Sequence, residues 1–314
     1  PLHMTTARAE PAPPLAGLAH PSLGDARARV WMTVVVHGVV DFLSYLLIPL
    51  MPLLISRLHL STGQTAAILA AGGLSSGLVQ PAVAWLSDHL ETRWLGTLGL
   101  ILAAVSFGLM GYATTFEQLL LIQIVGAAGV GAFHPVAAAA VGQLAGAKRS
   151  LGVAVFFLGG MVGGITGNVS APMYVKHVGL AELWYLIPPS LVAAAVLAWA
   201  IHSVPHRHAG AHDDHASLPA SERRWRWAAI WLLYAGNVLR FGVNAALVHL
   251  MIEWTRGYVR GGADAAQATA AELGMRATAI NGPMQAAMQI GMGAAGISAG
   301  WLVRPGKENS ALVL

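Results

Sequence analysis

Eight stretches of this sequence are each long and apolar enough to cross a lipid bilayer, and that property limits what the chain can fold into. They cover residues 30–55, 63–86, 94–112, 117–144, 151–175, 182–204, 227–254 and 274–303, each bounded by polar or charged residues. A spanning helix needs about 20 predominantly apolar residues to traverse roughly 30 Å of hydrocarbon. Lipid offers a backbone amide no hydrogen bond, so such runs must be helices that satisfy themselves. None shows the polar-apolar alternation of an outer-membrane barrel strand. The expected fold is an all-α integral membrane protein. Composition agrees, with only 10% of the residues charged against about a quarter in soluble domains.

Several chemistries are excluded early. The chain has no cysteine, which removes disulfides, thiolate metal sites and cysteine nucleophiles. The net charge is +4, but the basic residues lie in short loops between apolar runs rather than on one face, so no nucleic-acid partner is expected. No phosphate loop, His-Glu-x-x-His or Gly-x-Ser-x-Gly is present, so neither an enzyme nor a cofactor is expected.

Positive residues stay on the cytoplasmic side of short loops. A cytoplasmic N-terminus places Arg8, Arg27, Arg29, Arg93, Lys148, Arg149, Arg207, Arg223, Arg224, Arg226, Arg304 and Lys307 inside. Arg57, Lys176, Arg256, Arg260 and Arg276 then lie outside, with Arg240 inside the membrane. The expected location is a bacterial cytoplasmic (inner) membrane, crossed many times by a monomer.

Residues 1–29 read as a cloning scar, Pro1-Leu2-His3 before Met4, and a disordered cytoplasmic tail. Residues 30–204 form a six-helix N-terminal bundle, 205–226 a cytoplasmic His-rich linker, and 227–314 a partial C-terminal bundle of spans seven, eight and the start of nine. An internal repeat supports this division. Gly38, Leu43, Leu46 and Ile48 match Gly242, Leu247, Leu250 and Ile252, and Trp85-Leu86 match Trp301-Leu302. If the second half repeats the first, eight of twelve spans are present and the chain is expected to be incomplete.

The segment Ala84-Trp85-Leu86-Ser87-Asp88-His89-Leu90-Glu91-Thr92-Arg93 resembles the loop signature of the major facilitator superfamily, Gly-x-Leu-x-Asp-Arg-x-Gly-Arg-Arg, keeping the Leu, the Asp and the last basic residue. Within that superfamily, Gln80-Pro81, Phe133-His134-Pro135 and Gly159-Gly160 look like the fosmidomycin-resistance branch of exporters, with Val136 where that branch usually has Glu. The resemblance implies the major facilitator fold, about eight of twelve transmembrane helices, and a proton-coupled secondary transporter exporting a small organic molecule or drug by alternating access. Asp88 and Arg93 would form an intracellular gate. Gly159, Gly163 and Gly167, spaced four apart on the fifth run, and Gly296 and Gly300 on the eighth are expected to let helices approach closely and slide.

Ionisable residues inside a bilayer cost at least about 2.5–3.5 kcal/mol, so they face a cavity or a partner. His37 and Asp41, one helical turn apart, are expected to carry the coupling proton. Substrate is assigned to His134, Arg240, Asn244, Tyr45 and Phe133, with Arg240 facing Asp41 across the repeat axis. The alternative is a transporter of a metal ion or metal chelate such as copper or nickel. Its ligands would be Met284, Met288 and Met292, spaced four apart, or His206, His208, His212 and His215 of the linker.

The absence of native cysteine makes the orientation directly measurable. In intact cells an impermeant maleimide should label Gly262→Cys and leave Ser221→Cys untouched until the membrane is permeabilised. The opposite pattern would invert the assigned topology.

Overall fold

The computed structural model describes residues 23–204 and 218–302, and these fold as helices joined by short turns. The helices are α1 (Leu23–Ser44), α2 (Leu47–Leu58), α3 (Thr62–His89), α4 (Arg93–Gly108), α5 (Phe116–Leu144), α6 (Arg149–His177), α7 (Ile187–Ile201), α8 (Ala220–Arg260) and α9 (Ala270–Leu302). Short 3-10 turns extend α4 over Leu109–Tyr112 and precede α7 over Ala181–Leu186. Among the described residues there is no strand. The protein is an all-α integral membrane protein.

Among the described residues seven stretches are long and apolar enough to cross a membrane, against eight expected, and α9, whose expected span runs to residue 303 beyond them, is not among the seven. Its sequence carries Thr278, Asn281, Gln285 and Gln289, all buried within the protein. The polar groups lower its hydropathy without meeting lipid, because they turn toward α2 and α6.

The first expected run is two helices. α1 stops at Ser44, Leu46 N–H bonds the Leu43 carbonyl at 3.2 Å in a tightened turn, and α2 starts at Leu47. Pro49 is the cause: it has no N–H for the Tyr45 carbonyl four residues back, and its ring crowds that carbonyl. Pro52 repeats the problem one turn on by stranding the Ile48 carbonyl. Here α9 supplies the missing bonds. Asn281 Nδ2 donates to Ile48 O at 2.9 Å, and Thr278 Oγ1 accepts from Leu53 N–H at 3.1 Å. The helix after the linker also starts inside the stretch 205–226 expected for it. Residues 205–217 lie outside the described residues, and α8 begins at Ala220, where Arg226 pairs with Glu222 at 2.7 Å one turn earlier.

Glycine sets the closest helix crossings. α6 lies on α1 with Gly159 against Val34, Gly163 against Gly38 and Gly167 against Phe42. A methyl group on Gly163 would sit 2.6 Å from the Gly38 carbonyl carbon. α4 and α5 cross in the same way, where a methyl on Gly129 would meet Ala103 N at 2.8 Å. The small-residue spacing of α6 is therefore a packing contact; Gly296 and Gly300 lie in α9, but their surroundings are outside the described residues.

The two ends of the bundle differ. At one end, Arg29 is buried and donates through Nε to Ala200 O at 2.6 Å and through Nη2 to Ser203 Oγ at 2.9 Å, tying α1 to the C-terminal end of α7. At the other, α3, α5 and α9 start on the hydroxyl caps Ser61, Thr115 and Thr269. Ser61 with Gln64 and Thr269 with Glu272 close reciprocal capping boxes.

The repeat positions pair α1–α2 with α8, but their surroundings differ. Leu43 and Leu46 are buried in the core, whereas Leu247 and Leu250 on α8 are exposed. α8 lacks proline and runs unbroken for 41 residues.

Gly163→Leu should prevent α1 and α6 from meeting and lower detergent-solubilised stability by about 3 kcal/mol or more, since the obstacle is backbone. Gly73→Leu, with open space at its Cα, is the control. Equal melting temperatures for the two would refute the contact.

Candidate functional site

Three side chains converge between α1, α5 and α6. His37 and Asp41 project from the same face of α1, one turn apart, and α5 brings His134 opposite them. His37 Nε2 lies 3.1 Å from His134 Nε2. Asp41 places Oδ2 3.4 Å from His37 Nε2 and Oδ1 3.4 Å from His134 Nε2.

The remaining ring nitrogens fix the tautomers. His37 Nδ1 lies 2.7 Å from the Phe156 carbonyl oxygen, and His134 Nδ1 lies 2.8 Å from that of Val130. A carbonyl only accepts, so each Nδ1 carries the hydrogen. Each neutral ring then presents a lone pair at Nε2. Two imidazole lone pairs and a carboxylate thus face one another with no hydrogen between them, an arrangement that requires a proton or another cation at its centre.

The walls are specific. The His37 ring stacks on Phe156 with centroids 3.9 Å apart, and Phe133 stands behind it at 5.7 Å. Gly160 of α6 closes one side, where an added methyl would lie 2.5 Å from both Asp41 Oδ2 and His37 Nε2. His37 is 1% exposed, while the side chains of Asp41 and His134 keep 16% and 20% of their surface open. The cluster is therefore closed at His37 and partly open at Asp41 and His134. Pro135, next to His134, does not interrupt α5, and the His134 ring bonds the Val130 carbonyl.

The other expected site residues divide by place. Tyr45 stands one turn after Asp41, against Gly164 and Gln289. Phe133 is fully buried in the core and supports His37, so it is not positioned to touch a solute. Arg240 lies on the exposed face of α8 with its guanidinium 4.8 Å over the Phe241 ring, and no ion pair joins it to Asp41. Asn244 is half-buried one turn further on. Neither meets the His37 cluster, because α8 packs on α2, α3 and α9 rather than on α1.

At the expected gate, Arg93 donates to the His202 carbonyl and stands 5.9 Å over the Trp94 ring. The side chain of Asp88 lies outside the described residues. For the metal alternative, Met284 and Met288 are half-buried and Met292 is exposed. His206, His208, His212 and His215 lie outside the described residues.

Sequence reasoning missed an amide ladder beside the cluster. Asn168 Nδ2 donates to Gln289 Oε1 at 3.1 Å, and Gln285 Nε2 donates to Asn281 Oδ1 at 3.2 Å. The i, i+4 spacing of Asn281, Gln285 and Gln289 within an apolar run was the available signal. A concavity of about 780 Å³ lies elsewhere, between α8 and α9, lined by Trp254, Tyr258, Arg276 and Ile280. It holds none of the clustered titratable groups.

A family model described as the Major Facilitator Superfamily matches residues 33–314. The chain belongs to the Major Facilitator Superfamily. Over 175 residues it is 26% identical to the fosmidomycin resistance protein of Escherichia coli (strain K12), covering 54% of this chain and 43% of that protein. The chain thus spans less than half the length of the curated relative it matches. In fold it is similar to a bacterial homolog of the human lysosomal transporter Spinster. The inward-facing, occupied structure of that protein gives a TM-score of 0.62 at 16% identity, covering 89% of this chain and 62% of the other. Its inward-facing, unoccupied structure gives 0.56 at 13% identity, covering 86% and 75%.

Proposed function

We propose that this chain is a secondary active transporter that exports a small organic molecule across the bacterial cytoplasmic membrane in exchange for protons, working by alternating access with its N-terminus in the cytoplasm. Membership of the Major Facilitator Superfamily supports transport, and likeness to a fosmidomycin resistance protein supports outward movement of an organic compound. The observation that carries proton coupling is the convergence of His37 Nε2, His134 Nε2 and the Asp41 carboxylate with no donor among them.

With one proton the cluster is satisfied and electrically neutral as a whole. Without it, a carboxylate and two lone pairs repel one another in a low-dielectric site. A seat that must be refilled whenever it empties can link proton uptake on one side to a conformational step. His134 is then a member of the coupling group as well as a neighbour of the substrate. Tyr45, one turn along α1, stands at the same opening. Arg240 and Asn244, which stand apart from the cluster on α8, are left for the cargo, and Asp88 and Arg93 gate the cytoplasmic end.

Asp41→Asn separates coupling from structure. The amide supplies an N–H donor to the facing Nε2 atoms, so the cluster stays bonded but no longer ionises at that position. The full chain and this variant are expressed in bacteria lacking their main exporters and scored for growth against organic antibiotics, fosmidomycin among them, and against copper, nickel, cobalt and zinc salts. Resistance to an organic compound in the parent, lost in Asp41→Asn together with its dependence on a pH gradient in everted vesicles, is expected. Gradient-driven transport that persists in Asp41→Asn would remove the coupling assignment. Altered metal tolerance with no organic phenotype would replace the organic substrate by a metal ion.

A further inference from the structure

The donorless triangle at the centre of the bundle has dimensions that suit a metal ion. We propose that His37, Asp41 and His134 bind a divalent transition-metal ion of the Zn²⁺ class through Nε2, a carboxylate oxygen and Nε2, with a fourth position open toward the accessible side of the cluster. This does not depend on the export reading, because it is a binding property that holds whatever drives transport.

Four independent features carry it. The ligand atoms all lie within 4.8 Å of one another. His37 Nε2 and His134 Nε2 are 3.1 Å apart, and each lies 3.4 Å from a carboxylate oxygen of Asp41, His37 from Oδ2 and His134 from Oδ1. Ligand bonds of about 2.0–2.1 Å in a tetrahedron require ligand-to-ligand edges of about 3.3–3.4 Å, a spacing each imidazole already has to one carboxylate oxygen. Larger oxygen-seeking cations such as Ca²⁺ need six or more ligands at longer range, which three side chains do not supply.

Second, both histidines are prepared as ligands. A metal-binding imidazole usually donates its other N–H to a carbonyl or carboxylate, which sets the tautomer and aims the lone pair. His37 does so to Phe156 O and His134 to Val130 O, in each case with no metal needed to explain the bond. Third, the rings cannot swing away easily: His37 is stacked on Phe156, and Gly160 leaves only the room that the present positions of His37 and Asp41 require. Fourth, Asp41 and His134 retain open surface while His37 does not, so an ion has an entry and a fourth ligand has a direction.

Two imidazoles and one carboxylate form the borderline ligand set that suits Zn²⁺, Co²⁺ and Ni²⁺, with soft Cu(I) disfavoured. The methionines at 284, 288 and 292 belong to α9 and are not among these ligands.

The test uses the full chain purified in detergent, free of any affinity tag, with His206, His208, His212 and His215 changed to alanine so that the linker cannot compete. Cobalt(II) is titrated and followed by its visible absorption, which is intense only in a four-coordinate site, and Zn²⁺ is titrated calorimetrically. The expected result is one Zn²⁺ per chain and a four-coordinate cobalt spectrum, both lost in His134→Gln and Asp41→Ala. Gly160→Ala keeps all three ligands but crowds them, and it should weaken Zn²⁺ by about tenfold or more, as loss of supporting geometry does elsewhere. Where Asp41→Ala does not purify, the Zn²⁺-induced rise in melting temperature, present in the parent and absent in His134→Gln, gives the same answer. No cobalt spectrum in the parent, or one unchanged in His134→Gln, would overturn the proposal. If cobalt and Zn²⁺ fail to bind while export, measured with chelator present, is still lost in Asp41→Asn, the transport reading stands and this one falls.

Discussion

Hydrocarbon offers no hydrogen bonds, and in this chain that single deficiency decides where helices meet. A polar group that faces lipid costs several kcal/mol, so each irregularity in a span obliges another element to answer it. Pro52 strands the carbonyl of Ile48, and that carbonyl is met by Asn281 across the bundle; Leu53 N–H is met by Thr278. These two side chains lie on one face of α9, which therefore docks on α2 in one register. The polar residues buried on α9 are thus the ones that position it.

The same reasoning joins packing to chemistry on α6. Gly159, Gly163 and Gly167 admit the backbone of α1, and nothing bulkier would let the axes come so close. Gly160 and Gly164 lie alongside that stripe on the neighbouring face. Once α1 is seated, His37 and Asp41 fall opposite Gly160, and Tyr45 falls opposite Gly164. The close crossing is thus what brings a carboxylate and an imidazole into register with the Phe156 carbonyl, and a larger residue at either stripe would disturb both helix contact and cluster.

Much of this was legible in advance for a physical reason: a span is a local property, so uninterrupted apolar length locates a helix without knowledge of its neighbours. Helix starts were readable too, since Ser61 with Gln64 and Thr269 with Glu272 have the spacing of a capping box. His37 and Asp41 shared a face by spacing alone. Their meeting with His134 is a contact over 97 residues, which periodicity cannot supply. Pairing Arg240 with Asp41 rested on charge, and charge does not choose between helices: α5 and α6 pack on α1 and bring His134 to Asp41, while α8 packs elsewhere. The break at Tyr45 had its cause in plain sight at Pro49, hidden only by the continuity of the apolar run around it.

The lack of a fixed charge at Asp41 bears on how a transporter of this kind would work. If Asp41 were held by the fixed charge of an arginine, the pair would persist whatever the proton concentration, and the tie between halves would need another trigger to open. A carboxylate set between two imidazoles has no permanent counter-charge. On the export reading its charge changes by one with each proton gained or lost, and every such change alters how well the cluster tolerates being closed off from water. The conformational bias then arises from the cluster's own solvation. Arg240, seated over Phe241 on α8, makes no ion pair with Asp41, which on that reading leaves it for an anionic group of the cargo.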